Sequence, residues 1–210
     1  MSLFPRGVAP IVIVMLCVIV PTGAMAQSPS TGGTAFETEP PPPSMLEPGL
    51  WTGPEVPGTE AVLLEDGTAA APADAPEQVK QAIWAANSMQ SLPYRYGGGH
   101  NLEFDVADGA DCSGTVSFAL HAAGLLDAPL DSGSFMKWGE RGKGAWITVY
   151  TNPGHAYAVI AGLRLDTSSA GMSRTRAAAS FSSSVFESGP RWRPKGRSPR
   201  GFKKRHPVSF

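Results

Sequence analysis

Residues 109–126 read GADCSGTVSFALHAAGLL, and the rest of the chain can be placed around them. Asp111 is a good helix N-cap, the apolar positions after it recur at helical spacing, and Gly124 is a natural stop. Cys112 then takes the first helical position, where unpaired backbone N–H groups and the positive end of the helix dipole favour thiolate over thiol. At about 100° per residue, Val116, Ala119 and Ala123 share its face, so the helix holds the sulfur at the edge of a buried seam. Read by itself, the same cysteine is also a small buried hydrophobe, and residues elsewhere must decide between the two.

The chain has 210 residues, 42% of them hydrophobic, enough for one sizeable domain with extensions. Its 20 prolines and 24 glycines exceed the needs of a compact fold, so part of the chain is expected to be unpacked. The net charge of -1 conceals an asymmetry. From Gln27 to Pro76 there are acids and no Lys or Arg, whereas Arg191 to Arg205 is basic with no acid.

Arg6, the apolar run Val8 to Val20 and Ala24-Met25-Ala26 read as an export signal over residues 1–26, with an uncleaved anchor as the alternative. Cleavage after Ala26 removes Cys17 and leaves Cys112 as the only cysteine, so no internal disulfide can form. Residues 27–73 read as a Pro/Gly-rich acidic linker, in which Ala61 to Gly67 can dock as a short strand and turn. The folded unit is expected over 74–210, with a basic tail from about 190.

Asp74-Ala75-Pro76-Glu77 opens a helix running through Val79, Ile83, Trp84 and Ala86 to about Met89. Trp146 to Tyr150 alternates as a strand, and His155 to Leu165 reads as two more that turn near Gly162. Residues 168–184, rich in Ser and Ala, read as a loop. Helices first and consecutive strands later predict an α+β domain with a small antiparallel sheet.

A thiolate nucleophile needs a base, usually histidine, and a third polar group to orient the ring. His121 lies about 180° around the helix from Cys112 and faces away. His100, in a glycine-rich loop, and His206, in the tail, lack a rigid platform. His155 begins a strand after Asn152-Pro153-Gly154 and is the best-placed base, although a solvated strand-end histidine reads the same way. Arg164 and Asp166 share a face of the neighbouring strand, and only the aspartate can accept the imidazole N–H. An ordinary surface Arg and Asp pair is the competing reading. No metal-ligand spacing is present and no cofactor is expected.

Pro93-Tyr94-Arg95-Tyr96-Gly97-Gly98, Asp111-Cys112-Ser113-Gly114 opening a helix and Gly154-His155 opening a strand resemble the NlpC/P60 family of cell-wall cysteine peptidases over residues 76–166. The resemblance implies a papain-like α+β fold and cleavage of amide bonds in peptidoglycan stem peptides, commonly between D-glutamate and a diamino acid. It implies Cys112 as nucleophile, His155 as base, Tyr94 near the oxyanion and Asp166 as third catalytic residue. Asp111, Ser113, Gly98 and Trp146 are the expected substrate-binding positions. The chain departs from the family in its long acidic loop 99–110, in lacking a Gly-Asp segment before the histidine strand, and in carrying aspartate where a third histidine is frequent.

The expected protein is therefore an exported, monomeric peptidase with a peptidoglycan peptide as substrate and no nucleic-acid partner. The basic tail is a candidate for binding an anionic wall polymer or a lipid surface. Two other readings stay open: a catalytically silent wall-binding module of the same fold, and an amidase or acyltransferase using the same Cys and His.

Overall fold

The computed structural model describes residues 51–170, 188–194 and 196–210. The expected signal segment, linker residues 27–50 and residues 171–184 of the Ser/Ala-rich loop lie outside the described residues. Among the described residues, three helices and nine strands make a mixed α and β fold. Helices α1 (Glu77–Asn87), α2 (Cys112–Ala122) and the short α3 (Ser132–Phe135) pack on an antiparallel sheet. Its strands are β4 (Glu140–Arg141), β5 (Ile147–Asn152), β6 (His155–Ile160), β7 (Leu163–Asp166), β8 (Arg191–Arg193) and β9 (Lys203–His206), in the order β4-β9-β5-β6-β7-β8.

Asp111 caps α2 as expected, its carboxylate accepting the Gly114 N–H at 2.8 Å. Every residue of α2 except His121 is buried, because α1, β6 and β7 all pack against it. Two tight turns set the register of the central strands. Asn152 Oδ1 accepts the Gly154 N–H at 3.0 Å and pairs Asn152 with His155. Ala161 and Gly162 (φ 44° and 91°) give the turn that pairs Ile160 with Leu163.

Two segments differ from the expectation. Ala61 to Gly67 docks as the expected strand and turn, but residues 51–60 and 68–73 are folded too rather than strung out as a linker: β1 (Glu55–Val56), β2 (Val62–Leu63) and β3 (Ala69–Pro72) form a second sheet, order β1-β3-β2. β3 is Ala-Ala-Ala-Pro and entirely buried, since only small side chains let its backbone lie against α1. Side chains of α1 tie the segment down. Gln81 takes both the N–H and the carbonyl of Trp51, Asn87 does the same for Ala69, and Trp84 Nε1 donates to the Pro54 carbonyl.

The basic tail is likewise part of the sheet, with β9 inserted between β4 and β5. Arg191, Arg193 and Arg205 are buried because their guanidinium groups donate to main-chain carbonyls. The acceptors are Leu92 for Arg191, Asp166 for Arg193 and Met136 for Arg205, at 2.9, 3.0 and 2.9 Å.

Candidate active site

The N-terminus of α2 meets the first residue of β6, and this brings Cys112 to His155. The Cys112 sulfur lies beside the His155 side chain and the Ala156 backbone N–H, and both favour its ionised form. On the far side of the ring, His155 Nε2 lies 2.9 Å from Asp166 Oδ1, which leaves Nδ1 for the sulfur. Antiparallel pairing of β6 with β7 brings Asp166 beside the imidazole, as the alternation Arg164-Leu165-Asp166 predicts.

All three groups are largely withdrawn from water. Burial pushes the Cys112 thiol up, but the hydrogen bonds from His155 and Ala156 and the His155 charge outweigh it, and the thiol ends below its ordinary value. Burial pushes His155 down, yet its bonds to Asp166 and Cys112 raise it to about 9. Asp166 also stays ionised: burial opposes its charge, while His155, the Ser168 N–H and Arg164 favour it. The Cys112 and His155 shifts both run towards a thiolate beside an imidazolium, the pair that can attack a carbonyl carbon and protonate a departing group.

Arginines surround Asp166. Arg197 Nη1 donates to Oδ2 at 3.0 Å, Arg164 Nε lies 3.6 Å from the same oxygen, and Arg193 holds the main-chain carbonyl. The Arg197 guanidinium sits 5.1 Å above both the Tyr157 and the Phe202 rings, and Phe202 meets His155 edge-on at 6.2 Å.

A groove of about 390 Å³ opens over Cys112, and Tyr94, Asp111 and Ser113 line it, as the sequence leads one to expect. Tyr94 pairs in parallel with Ala110, two residues before the cysteine. Burial and the nearby Cys112 charge raise its phenol, which is therefore protonated and able to donate.

Gly98 does not line that groove. Its carbonyl accepts the Asp111 N–H at 3.2 Å and presses on Gly114, so it fits the loop to the start of α2. Trp146 stands apart too: it precedes β5 and packs on the core, and the six residues of that strand separate it from the turn that presents His155.

Sequence reasoning set His100 aside, but the structure brings it to the groove. His100 Nε2 lies 3.0 Å from Asp111 Oδ1 and 3.2 Å from Ser113 Oγ. Its glycine-rich loop is made rigid by packing against α2, a contact with no local signature. Arg197 and Phe202 were likewise hidden in the supposed tail. His121 faces away as expected, stacked on Phe104 with ring centroids 3.8 Å apart. Among the described residues no group of three or more His, Cys, Asp or Glu can hold a metal, and no helix is long and apolar enough to cross a membrane. No family model matches the chain, and no curated protein is significantly similar to it.

Proposed function

We propose that the chain is a cysteine hydrolase of the papain-like class, built on a Cys112, His155 and Asp166 triad. Within that class we read it as an exported NlpC/P60-type endopeptidase acting on peptidoglycan stem peptides, between D-glutamate and a diamino acid. The observation that carries the reading is the unbroken line of contacts from the helix-start sulfur through His155 to the buried Asp166 carboxylate, beside an open groove. The Tyr94, DCSG and Gly-His motifs support the choice of family.

In the proposed reaction the Cys112 thiolate adds to the amide carbonyl carbon, and the oxygen takes the negative charge. The free N–H groups at the start of α2 and the Tyr94 hydroxyl stabilise that oxygen. His155 gives its proton to the leaving amine, which departs and leaves a thioester on Cys112. The neutral imidazole then takes a proton from water, whose oxygen attacks the thioester and frees the carboxylic acid and the thiol. Asp166 holds the ring and supports its charge through both halves. The substrate chain lies along Asp111, Ser113 and Asp131, and the basic edge at Arg141, Lys203 and Lys204 holds an anionic wall polymer.

The test is digestion of purified muropeptides, followed by mass spectrometry of the products. A new free amine on the diamino acid, present for the wild type and absent for Cys112→Ala, is the expected result. Transfer of the acyl group to an added amine would reassign the chain as an acyltransferase. Retention of both proteins on insoluble walls with no product from either would make it a binding module.

A further inference from the structure

Asp111 does two things that work against each other. Its carboxylate caps α2 and also accepts the Gly97 N–H at 3.1 Å, so the loop and the helix start are built on it. It is also a negative charge one residue from the sulfur, and it opposes ionisation of Cys112. A helix N-terminus that favours a thiolate is thus capped by a group that disfavours one.

The structure supplies a counter-charge. His100 Nε2 faces Asp111 Oδ1 at 3.0 Å with its side chain 24% exposed, and Ser113 Oγ, which donates to the same oxygen at 3.1 Å, lies 3.2 Å from that ring nitrogen. These contacts fix the tautomer: Nε2 carries a proton in either charge state, donating to Asp111 and sharing it with the Ser113 oxygen. The second proton, on Nδ1, therefore adds charge without moving the ring.

We propose that His100 is a positioning residue for the nucleophile: held on Asp111 and Ser113, it offsets the capping carboxylate, so that the helix end and not its cap decides the charge on Cys112. The inference rests on Cys112 being the nucleophile, as proposed above.

The surrounding groups bias His100 towards its protonated form. The hydrogen bond with Asp111 raises its basicity, burial opposes this, and the charges of Asp111, of Asp131 at the start of α3 and of Cys112 add to the positive bias. On the loop side, Asp108 is paired with Arg95 at 2.6 Å and Asp105 accepts the Ala107 N–H at 2.8 Å, so neither carboxylate is bonded to His100. Tyr94 and Tyr96 also border the groove.

His100→Gln separates charge from geometry, because the amide keeps an N–H donor for Asp111 and cannot be protonated. The experiment is the rate of Cys112 alkylation by iodoacetamide from pH 4 to 9, for the wild type, His100→Gln, Asp111→Asn and the double variant. Asn caps a helix as well as Asp does, so α2 retains its start. The expected result is an alkylation midpoint raised by about 0.5–1 pH unit in His100→Gln, a few-fold loss of thiolate at lower pH. In the Asp111→Asn background the same substitution should move the midpoint by clearly less, the remainder being the direct attraction between His100 and Cys112.

An unchanged midpoint in His100→Gln, with the wild type still reactive well below the free-thiol range, overturns this inference and leaves the proposed function standing. An equal shift with and without the Asp111 carboxylate also overturns it, since His100 would then act on the sulfur by another route. A wild-type midpoint at the free-thiol value overturns both readings.

Discussion

Asp166 is the residue on which the proposed Cys112 and His155 pair depends. Its carboxylate meets His155, Arg197 and Arg164, and it is about 1% exposed. Asp166→Asn keeps the shape and removes the charge, so His155 should no longer hold its proton to about 9 and the ion pair with Cys112 should weaken. The expected outcome is at least a tenfold fall in alkylation rate near pH 6, on the order of the smaller effects seen for such groups, checked by the same iodoacetamide profile. The buried arginines facing Asp166 should make the variant less stable by about 3 kcal/mol in urea unfolding.

The pair also makes a prediction about stability and pH. His155 alone, raised from 6.5 to about 9, contributes stability that is complete below 6.5 and is lost as pH climbs through the folded value. Cys112 has the opposite sign: its folded value lies below the ordinary 9.0, so its contribution is present at high pH and is lost as pH falls through the folded value. The unfolded pair holds one proton between about 6.5 and 9, and wherever in that range the folded pair is thiolate and imidazolium it also holds one, so the two slopes cancel. Cys112→Ser leaves the histidine slope uncompensated. Its Tm deficit relative to wild type should therefore widen as pH is raised from 6.5 towards 9, and a constant deficit in differential scanning calorimetry would contradict the ion pair.

At the scale of elements, the junction between the glycine loop and α2 is the tightest fit near the site. A side chain on Gly114 would collide with the Gly98 carbonyl and crowd Gly99, both main-chain groups that cannot swing aside. Gly114→Ala should cost about 1–3 kcal/mol in urea unfolding and should move the alkylation midpoint towards the free-thiol range, because Asp111 and His100 are fixed by the same loop.

The elements legible in the sequence are those with local signals. Asp111 announced α2, Pro76 and Glu77 announced α1, and Asn152-Pro153-Gly154 placed His155 at the head of β6. With the cap and the turn in place, Cys112, His155 and Asp166 follow from helical spacing and strand alternation. What stayed hidden depends on distant partners. β3 is four small residues without alternation, and β8 is Arg-Trp-Arg, whose arginines are buried through carbonyls near residues 92 and 166. The Trp146 expectation failed for a related reason: aromatic character does not say which end of a strand faces the groove.

For the molecule as a whole, the order β4-β9-β5-β6-β7-β8 leaves only β5 between the lysine- and arginine-rich β9 and the strand that begins with His155. Arg141, Lys203 and Lys204 line a groove of about 440 Å³ with Phe202, whose ring also meets His155. Charges this exposed act mainly through long-range attraction, which salt screens over about 8 Å at physiological strength. Lys203→Glu with Lys204→Glu should abolish the salt-sensitive part of binding to insoluble walls while leaving Cys112 alkylation at its wild-type rate. Cosedimentation across a sodium chloride series checks the first, and intact-mass spectrometry the second.

β9 joins β4 to β5, and Arg197 just before it holds Asp166. Ribosomes deliver a chain from its N-terminus, so Cys112, His155 and Asp166 all exist before the strand and the guanidinium that complete their setting. Until residues 197–206 arrive, the edge strand β4 has no partner in the sheet and the carboxylate behind the imidazole lacks the Arg197 guanidinium. Order of synthesis thus sets an order of completion: the imidazole and the carboxylate are made before the guanidinium that binds Asp166 from 31 residues further along the chain.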